Sequence, residues 1–251
     1  MKDTVTNSAD FSRLAFTANA TFVEAARPAA VADDSFIWDN APAKAPAPIS
    51  IYRDIFKRLM DLAFILVTLP FSVTIIGLCA LALWVESGNP FYTQDRLGKN
   101  GKRFKILKLR TMVRNADALL EEYLAKDPEM RREWDEIQKL RHDPRITRVG
   151  AVLRKTSLDE LPQLVNVALG HMSLVGPRPM LPEQLEMYGE PSAYFALKPG
   201  ITGLWQVSAR NSARFNYRND VDAAYERNLT LKLDLTILYK TIGVVFRPTG
   251  H

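Results

Sequence analysis

Two carboxylates stand side by side at Asp159 and Glu160, inside the stretch TSLDELPQLVNV from Thr156 to Val167, with Arg154 and Lys155 just ahead. Adjacent acids of this kind can hold a divalent cation, supply a nucleophile, or merely begin a helix. Ser157 to Glu160 has the S-x-x-E form of a capping box. Alternatively Asp159 is itself the cap, with Pro162 in the first turn. Both readings put the carboxylates at a helix N-terminus, where the dipole stabilises anions and helps to hold a phosphate. Downstream, Arg178 is set between Pro177 and Pro179. The prolines fix the backbone on both sides, and a guanidinium so held suits bidentate binding of phosphate or carboxylate. LKPGITGLWQVSARN follows, with Lys198, Gly200, Gly203, Trp205 and Arg210. Its glycines allow close backbone approach, and Trp205 reads as core rather than as a stacking platform.

Composition narrows the chemistry. The chain has 251 residues and a formal charge of +5, which favours anionic partners: nucleic acid, acidic headgroups or phosphorylated substrates. The basic run has little aromatic interleaving, so nucleic acid is not expected. One cysteine, Cys79, excludes an intramolecular disulfide and sits in an apolar run. Three histidines, no HExxH and no Cys/His cluster argue against zinc. Neither a Walker A loop nor G-x-G-x-x-G is present.

The elements that must position these residues come next. Residues 1–50 lack sustained periodicity and end in APAKAPAP, which reads as a disordered Ala/Pro-rich extension without a secretory signal. Leu62 to Val85 is an apolar segment long enough to cross a bilayer, for which roughly 20 residues suffice. Both flanks are basic: Arg53, Lys57 and Arg58 precede it, and Arg96 to Arg110 carries seven Lys/Arg. Because Lys/Arg-rich flanks stay cytoplasmic, a helix that bends at Pro70 and leaves by the face it entered is expected in preference to a span. NPFYTQDRLGKNGKRFKILKLRTM reads as a hairpin about GKNG. Val113 to Leu140 reads as two solvated helices broken near Asp127-Pro128, with Leu119, Leu120, Tyr123 and Leu124, then Met130, Trp134 and Ile137, facing inward. LTLKLDLTILYKTIGVVF, apolar but interrupted by Lys232, Asp234 and Lys240, suits a helix lying at a membrane interface.

In this order, from about Ile51 to Phe246, the motifs resemble the bacterial sugar transferase family, the monotopic polyprenyl-phosphate phosphoglycosyl transferases. The resemblance rests on the basic-flanked apolar segment, FYTQDRLGKNGKRFKILKLRTM, TSLDELPQLVNV, G-x-MSLVGPRP, KPGITGLWQV and a closing D-x-x-Y-x-x-N at Asp222, Tyr225 and Asn228. It is nearest to members that begin exopolysaccharide repeat units. It implies a mostly α fold with a small β element (α+β): a Pro-broken re-entrant helix over residues 51–86, then a cytoplasmic catalytic domain with interfacial helices over 87–251. It further implies transfer of hexose-1-phosphate from a UDP-sugar, galactose or glucose, to undecaprenyl phosphate at the bacterial inner membrane, releasing UMP. Carried onto this sequence, Asp159 is the nucleophile that forms an aspartyl phosphosugar, and Glu160 is the Mg2+ ligand. Arg154 and Arg178, with Pro177 and Pro179, hold phosphates or nucleotide. Asp222 assists metal or acceptor. The family's helix break is a Ser-Pro pair; here it is Leu69-Pro70, with Thr68 or Ser72 in the place of the serine. Inner-membrane lipids are expected partners, and a homodimer is left open.

Two other readings compete. Asp220-Val-Asp222 has the DxD form used by many nucleotide-sugar glycosyltransferases to hold a metal, and such an enzyme would release UDP. A membrane-anchored scaffold would bind anionic lipid through its basic face without turnover.

Overall fold

The computed structural model describes residues 50–137, 140, 142–208 and 217–246. The predicted extension, apart from residue 50, and Arg210 lie outside them, as does the Ile137 side chain. A π-type turn, Tyr52–Phe56, leads into α1, Lys57–Ser87, which is long and apolar enough to cross a membrane. The expected break at Pro70 is not an interruption, because the helix continues through it. Proline removes one backbone donor without dissolving the ladder on either side, and hydroxyls flank the gap. Thr68 Oγ1 donates to the Phe64 carbonyl at 2.8 Å, Ser72 Oγ to Leu69 at 3.1 Å and Thr74 Oγ1 to Pro70 at 2.8 Å.

Both ends of α1 are fastened to the same body. At the start, Lys57 forms a buried ion pair with Asp234, whose carboxylate also accepts from Tyr52 and Tyr225, each at 2.6 Å. One turn on, Asp61 accepts from Leu174 N–H at 3.0 Å and from Ser173 Oγ at 3.2 Å. At the far end Leu83, fully buried, packs with Leu109 and Leu153, joined by Cys79, Ala80, Val149 and Leu158. Between these anchors Leu66, Val67 and Phe71 are each 73% exposed, an apolar mid-section with no protein cover.

The hairpin forms as expected. β1, Phe91–Leu97, pairs antiparallel with β2, Arg103–Leu109, through a turn in which Asn100 is left-handed. Alternation buries Phe104 and Ile106 beneath the basic face. Helices α2, Ala116–Lys126, and α3, Pro128–Ile137, divide at Asp127-Pro128, and their Leu120, Leu124, Met130 and Trp134 close a satellite core with Leu140. Next come α4, Arg148–Thr156, and α5, Gln163–Ala168.

The segments predicted as two Pro/Gly-rich loops are partly sheet. β3, Ser173–Val175, pairs parallel with β4, Gly200–Thr202. Strands this short, bounded by proline and glycine, carry no readable period. Their backbones run so close that a Cβ at Gly200 would lie 2.1 Å from Gly176 N, and one at Gly203 2.0 Å from Gly176 O. Between β3 and β4 lie the short helices α6, Leu185–Tyr188, and α7, Ser192–Phe195; α8, Leu204–Ser208, α9, Tyr217–Arg227, and α10, Leu231–Phe246, follow. Phe104, Ile106, Val167, Met172, Leu174, Val175, Tyr225 and Ile237 make the main core, joining β2, α5, β3, α9 and α10.

Breaking the ion pair tests how α1 is held. Lys57→Met leaves the Asp234 charge buried and unbalanced, so chemical denaturation should show a loss of about 3 kcal/mol. Adding Asp234→Asn, which removes the unbalanced charge and keeps an acceptor for one of the two tyrosines, should restore part of it.

Candidate active site

Thr147 Oγ1 accepts from Gly150 N–H at 3.0 Å and caps α4. The helix ends at Ser157, whose φ of 57° is left-handed, and Leu158–Glu160 then forms a single 3-10 turn. Neither predicted cap is present. Ser157 closes the preceding helix instead of opening the next, no side chain caps the turn, and Pro162 stands ahead of α5. The carboxylates therefore sit on a tight turn between α4 and α5, one turn ahead of the start of α5 and not within its first turn as predicted. Asn166 bolts α5 to β2, accepting from Leu107 N–H at 2.9 Å and donating to the Lys105 carbonyl at 2.8 Å. Leu158 packs into the cluster formed by Leu83 of α1, Leu109 and Leu153, so the residue next to Asp159 shares a core with the apolar helix.

The two acids have different surroundings. Asp159 is buried and its carboxyl is pushed up to about 6, first by burial and then by the neighbouring Glu160 charge, while Lys108 and Arg154 pull it down. Glu160 is partly open and pairs with Lys108 Nζ at 2.8 Å. Arg154 Nε donates to Thr111 Oγ1 at 2.7 Å, which holds its guanidinium on the Asp159 side.

The Pro-Arg-Pro loop meets this turn across a narrow cleft lined by Arg96, Lys108, Glu160, Gln163, Arg178 and Pro179. The loop is gripped by its backbone. Arg96 Nη1 donates to the Pro179 carbonyl at 3.1 Å, and Arg218 Nη2 donates to that of Arg178. The Pro177 carbonyl accepts from Gly200 N–H at 2.8 Å and belongs to the β3–β4 ladder. Burial first, and then the Arg178 and Arg218 guanidiniums, lower Arg96 to about 10. Cations thus converge on one cleft.

Asp222 takes no place in that lining. It is 2% exposed, accepts from Tyr188 Oη at 2.6 Å and faces Arg218 Nε at 4.0 Å, so its carboxylate braces the arginine that holds the loop. Asp220, two positions away on α9, projects in another direction, since residues i and i+2 of a helix do not share a face. Among the described residues no group of three or more His, Cys, Asp or Glu could hold a metal. The oxygen-only pair at Asp159 and Glu160 nevertheless suits a hard cation that takes one or two protein carboxylates and completes its shell with substrate phosphates. Lys108 holds the place beside Glu160 that such a cation would take.

Of the residues singled out in the sequence, Glu160 and Arg178 line the cleft, while Asp159 stands beside Glu160 on the same turn with the Arg154 charge acting on it. Sequence reasoning missed Arg96, Lys108, Tyr188 and Arg218. The first two were visible only as members of a basic run, and strand register alone shows which of its cations turn inward.

The model of the family described as "Bacterial sugar transferase" matches residues 52–248. The chain is 48% identical over 195 residues to a UDP-galactose-lipid carrier transferase of Erwinia amylovora, which covers 77% of this chain and 41% of that protein. It is 50% identical over 166 residues to the undecaprenyl-phosphate galactose phosphotransferase of Salmonella typhimurium, 66% of this chain and 35% of that one. It is 46% identical over 196 residues to the exopolysaccharide production protein ExoY of Rhizobium meliloti, covering 77% and 87%. The chain therefore spans less than half the length of the first two, and most of the third.

The raised Asp159 carboxyl has a consequence for stability. A carboxyl that binds its proton more tightly when folded favours folding at low pH, and that advantage fades as pH climbs through the folded value. Asp159→Asn should therefore leave the metal-free stability nearly unchanged near pH 3 and raise it above pH 6, by about 3 kcal/mol at most. Melting curves across that range would show it.

Proposed function

The chain belongs to the bacterial sugar transferase family, and on that premise we propose that it transfers a hexose-1-phosphate from a UDP-sugar to a polyprenyl phosphate. The observation that carries the reading is the pairing of a buried carboxylate, Asp159, with a cleft in which Arg96, Lys108 and Arg178 meet. Such a cleft is built for a diphosphate. Asp159 attacks the sugar-side phosphorus, the bond from that phosphorus to the UMP oxygen breaks, and an aspartyl phosphosugar remains. An oxygen of polyprenyl phosphate then attacks the same phosphorus, the bond to Asp159 breaks, and a polyprenyl diphosphate sugar leaves. Splitting one displacement into two lets a single positioned site serve a soluble donor and a lipid acceptor in turn.

Each side chain has a task that its position supports. Arg154 keeps negative charge favoured at Asp159, offsetting the burial that would protonate it. Arg178, on a loop held rigid by Arg96 and Arg218, presents its guanidinium to the phosphates. Lys108 and Glu160 lie on the leaving-group side as a charge pair. Mg2+, held by Glu160 and the donor's phosphates, would supply neutralisation of the charge that builds on departing UMP. Positioning and charge neutralisation are most of what phosphoryl transfer requires.

The lipid acceptor requires the site to lie at headgroup depth. A helix whose start is tied by Lys57 and whose end is tied by Leu83 to one body cannot deliver its ends to opposite sides of a bilayer. This supports the re-entrant, cytoplasmic-face reading, with α10 at the interface: its Leu231, Leu235, Tyr239 and Ile242 form an exposed apolar stripe. Galactose is favoured over glucose through the printed names of the Erwinia amylovora and Salmonella typhimurium relatives.

Incubation with Mg2+, UDP-galactose and undecaprenyl phosphate should yield UMP and no UDP; UDP would instead indicate a DxD-type transferase, and no nucleotide at all a scaffold. Asp159→Asn should lower the rate by at least about a thousandfold, as expected for loss of a nucleophile, and full activity in that variant would remove Asp159 from the role. For topology, single cysteines at Ser50 and Lys99 in a Cys79→Ala background should both be shielded from an impermeant periplasmic reagent. Labelling at Ser50 alone would mean a span.

A further inference from the structure

Well away from the cleft, a second pair of cations meets where α5 ends at the root of α1. Arg58 Nη1 donates to the Val167 carbonyl at 2.5 Å and Nη2 to that of Ala168 at 2.9 Å, so its guanidinium is fixed across the last turn of α5. Gly170 follows with φ of 81°, and no side chain covers the space above it. A Cβ there would lie 3.5 Å from Lys198 Nζ and 3.7 Å from Arg58 Nη2. The missing side chain thus leaves a small cradle with an ammonium on one wall and a guanidinium on the other, close enough for one phosphate to bridge.

Among the described residues Lys198 makes no ion pair and donates no hydrogen bond. The nearest carboxylate, Asp61, is already engaged by Leu174 N–H and Ser173 Oγ. Lys198 is half-buried, and its ammonium is disfavoured first by burial and then by the Arg58 charge, with Lys99 adding to the repulsion. Asp61 offsets part of the charge of both cations, and an anion seated between them would relieve the repulsion that remains. The surroundings say which kind. Leu59 and Leu62 on α1 and Leu169, just past the end of α5, adjoin the cradle in sequence and are 56%, 39% and 65% exposed, so the anion site has bare apolar residues beside it. That combination matches a lipid: acyl chains along the leucines, phosphate between the cations.

We propose that Arg58 and Lys198, across Gly170, hold the phosphate of a membrane lipid at the root of α1, apart from the reacting centre. Gly170 and Asp159 flank opposite ends of α5, which favours a bulk anionic phospholipid over the acceptor. Such a lipid would fix the depth and tilt of the body on the membrane. The inference rests on α1 lying in the bilayer, and flotation of the wild-type chain with vesicles tests that premise separately.

The test is lipid binding by the full chain, read by native mass spectrometry in detergent with added phosphatidylglycerol or phosphatidylcholine. Lys198→Gln is the variant of choice, because Arg58 also caps α5 and its loss would confound folding; Lys198→Arg should retain binding. The wild type should hold phosphatidylglycerol in preference to phosphatidylcholine, and Lys198→Gln should weaken that by about tenfold, the worth of one charge-assisted hydrogen bond, with an unchanged melting point. Gly170→Ala, filling the cradle, should weaken it as well. If undecaprenyl phosphate displaces the phosphatidylglycerol, and Lys198→Gln raises the KM for that acceptor alone, the phosphate is the acceptor's; no displacement assigns it to the bulk lipid. Equal retention by wild type and Lys198→Gln, or no preference for the anionic lipid, would overturn the site.

Discussion

The buried contact between Lys57 and Asp234 sets the relation between the apolar helix and the body, and the remaining geometry follows from it. Both charges have left water, which costs several kcal/mol per ion unless every lone pair is matched. Tyr52 and Tyr225 complete the set around Asp234. With the start of α1 pinned there and Leu83 pinned thirty-odd Å further along at helical rise, the apolar mid-section has no freedom to choose its side of the molecule. Leu158, packed into the Leu83 cluster, transmits that constraint to Asp159, one residue away. The spacing between α1 and Asp159 is therefore set by packing.

A second constraint is electrostatic. Arg96, Arg178 and Arg218 crowd one loop, and each raises the cost of the others' charge. The fold tolerates this because Arg96 and Arg218 are tied to loop carbonyls and Asp222, buried beneath, faces Arg218. The result is a surface already organised for anions before any substrate arrives, so little reorganisation is left to the moment of binding. Opposite it, Asp159 sits in enough burial to be held back from full ionisation and enough positive charge to recover it. The two sides depend on each other: Lys108 and Arg154 favour the charged form of Asp159, and its charge in turn favours theirs.

Much of this was legible in the chain. GKNG between alternating Phe104, Ile106 and Leu109 and their lysines announces a hairpin, because a two-residue period survives in a solvated strand. Asp127-Pro128 announces the break between α2 and α3 for an equally local reason. Asp159, Glu160 and Arg178 are legible as chemistry because their neighbours, a second acid and two prolines, are contiguous. Other readings failed where a distant partner overrode a local signal. Ser157 has the sequence of a cap, yet it takes a left-handed turn that ends α4. Asp222 has the look of a metal ligand, yet it faces inward to Arg218 and Tyr188.

By itself, then, the sequence determined which groups are available and in what order: an apolar helix with basic flanks, a carboxylate pair, a proline-fixed arginine and a family pattern joining them. Those are properties of composition and short-range spacing. Only the tertiary structure decided which cations turn toward the carboxylates, which acid braces a loop and which faces the cleft, and where β3 and β4 lie side by side with no room for a Cβ. Such decisions depend on contacts between residues tens of positions apart, such as Arg96 with Pro179 and Lys57 with Asp234. No window along the chain contains both members of those pairs, so their energies take effect only when the chain has closed on itself.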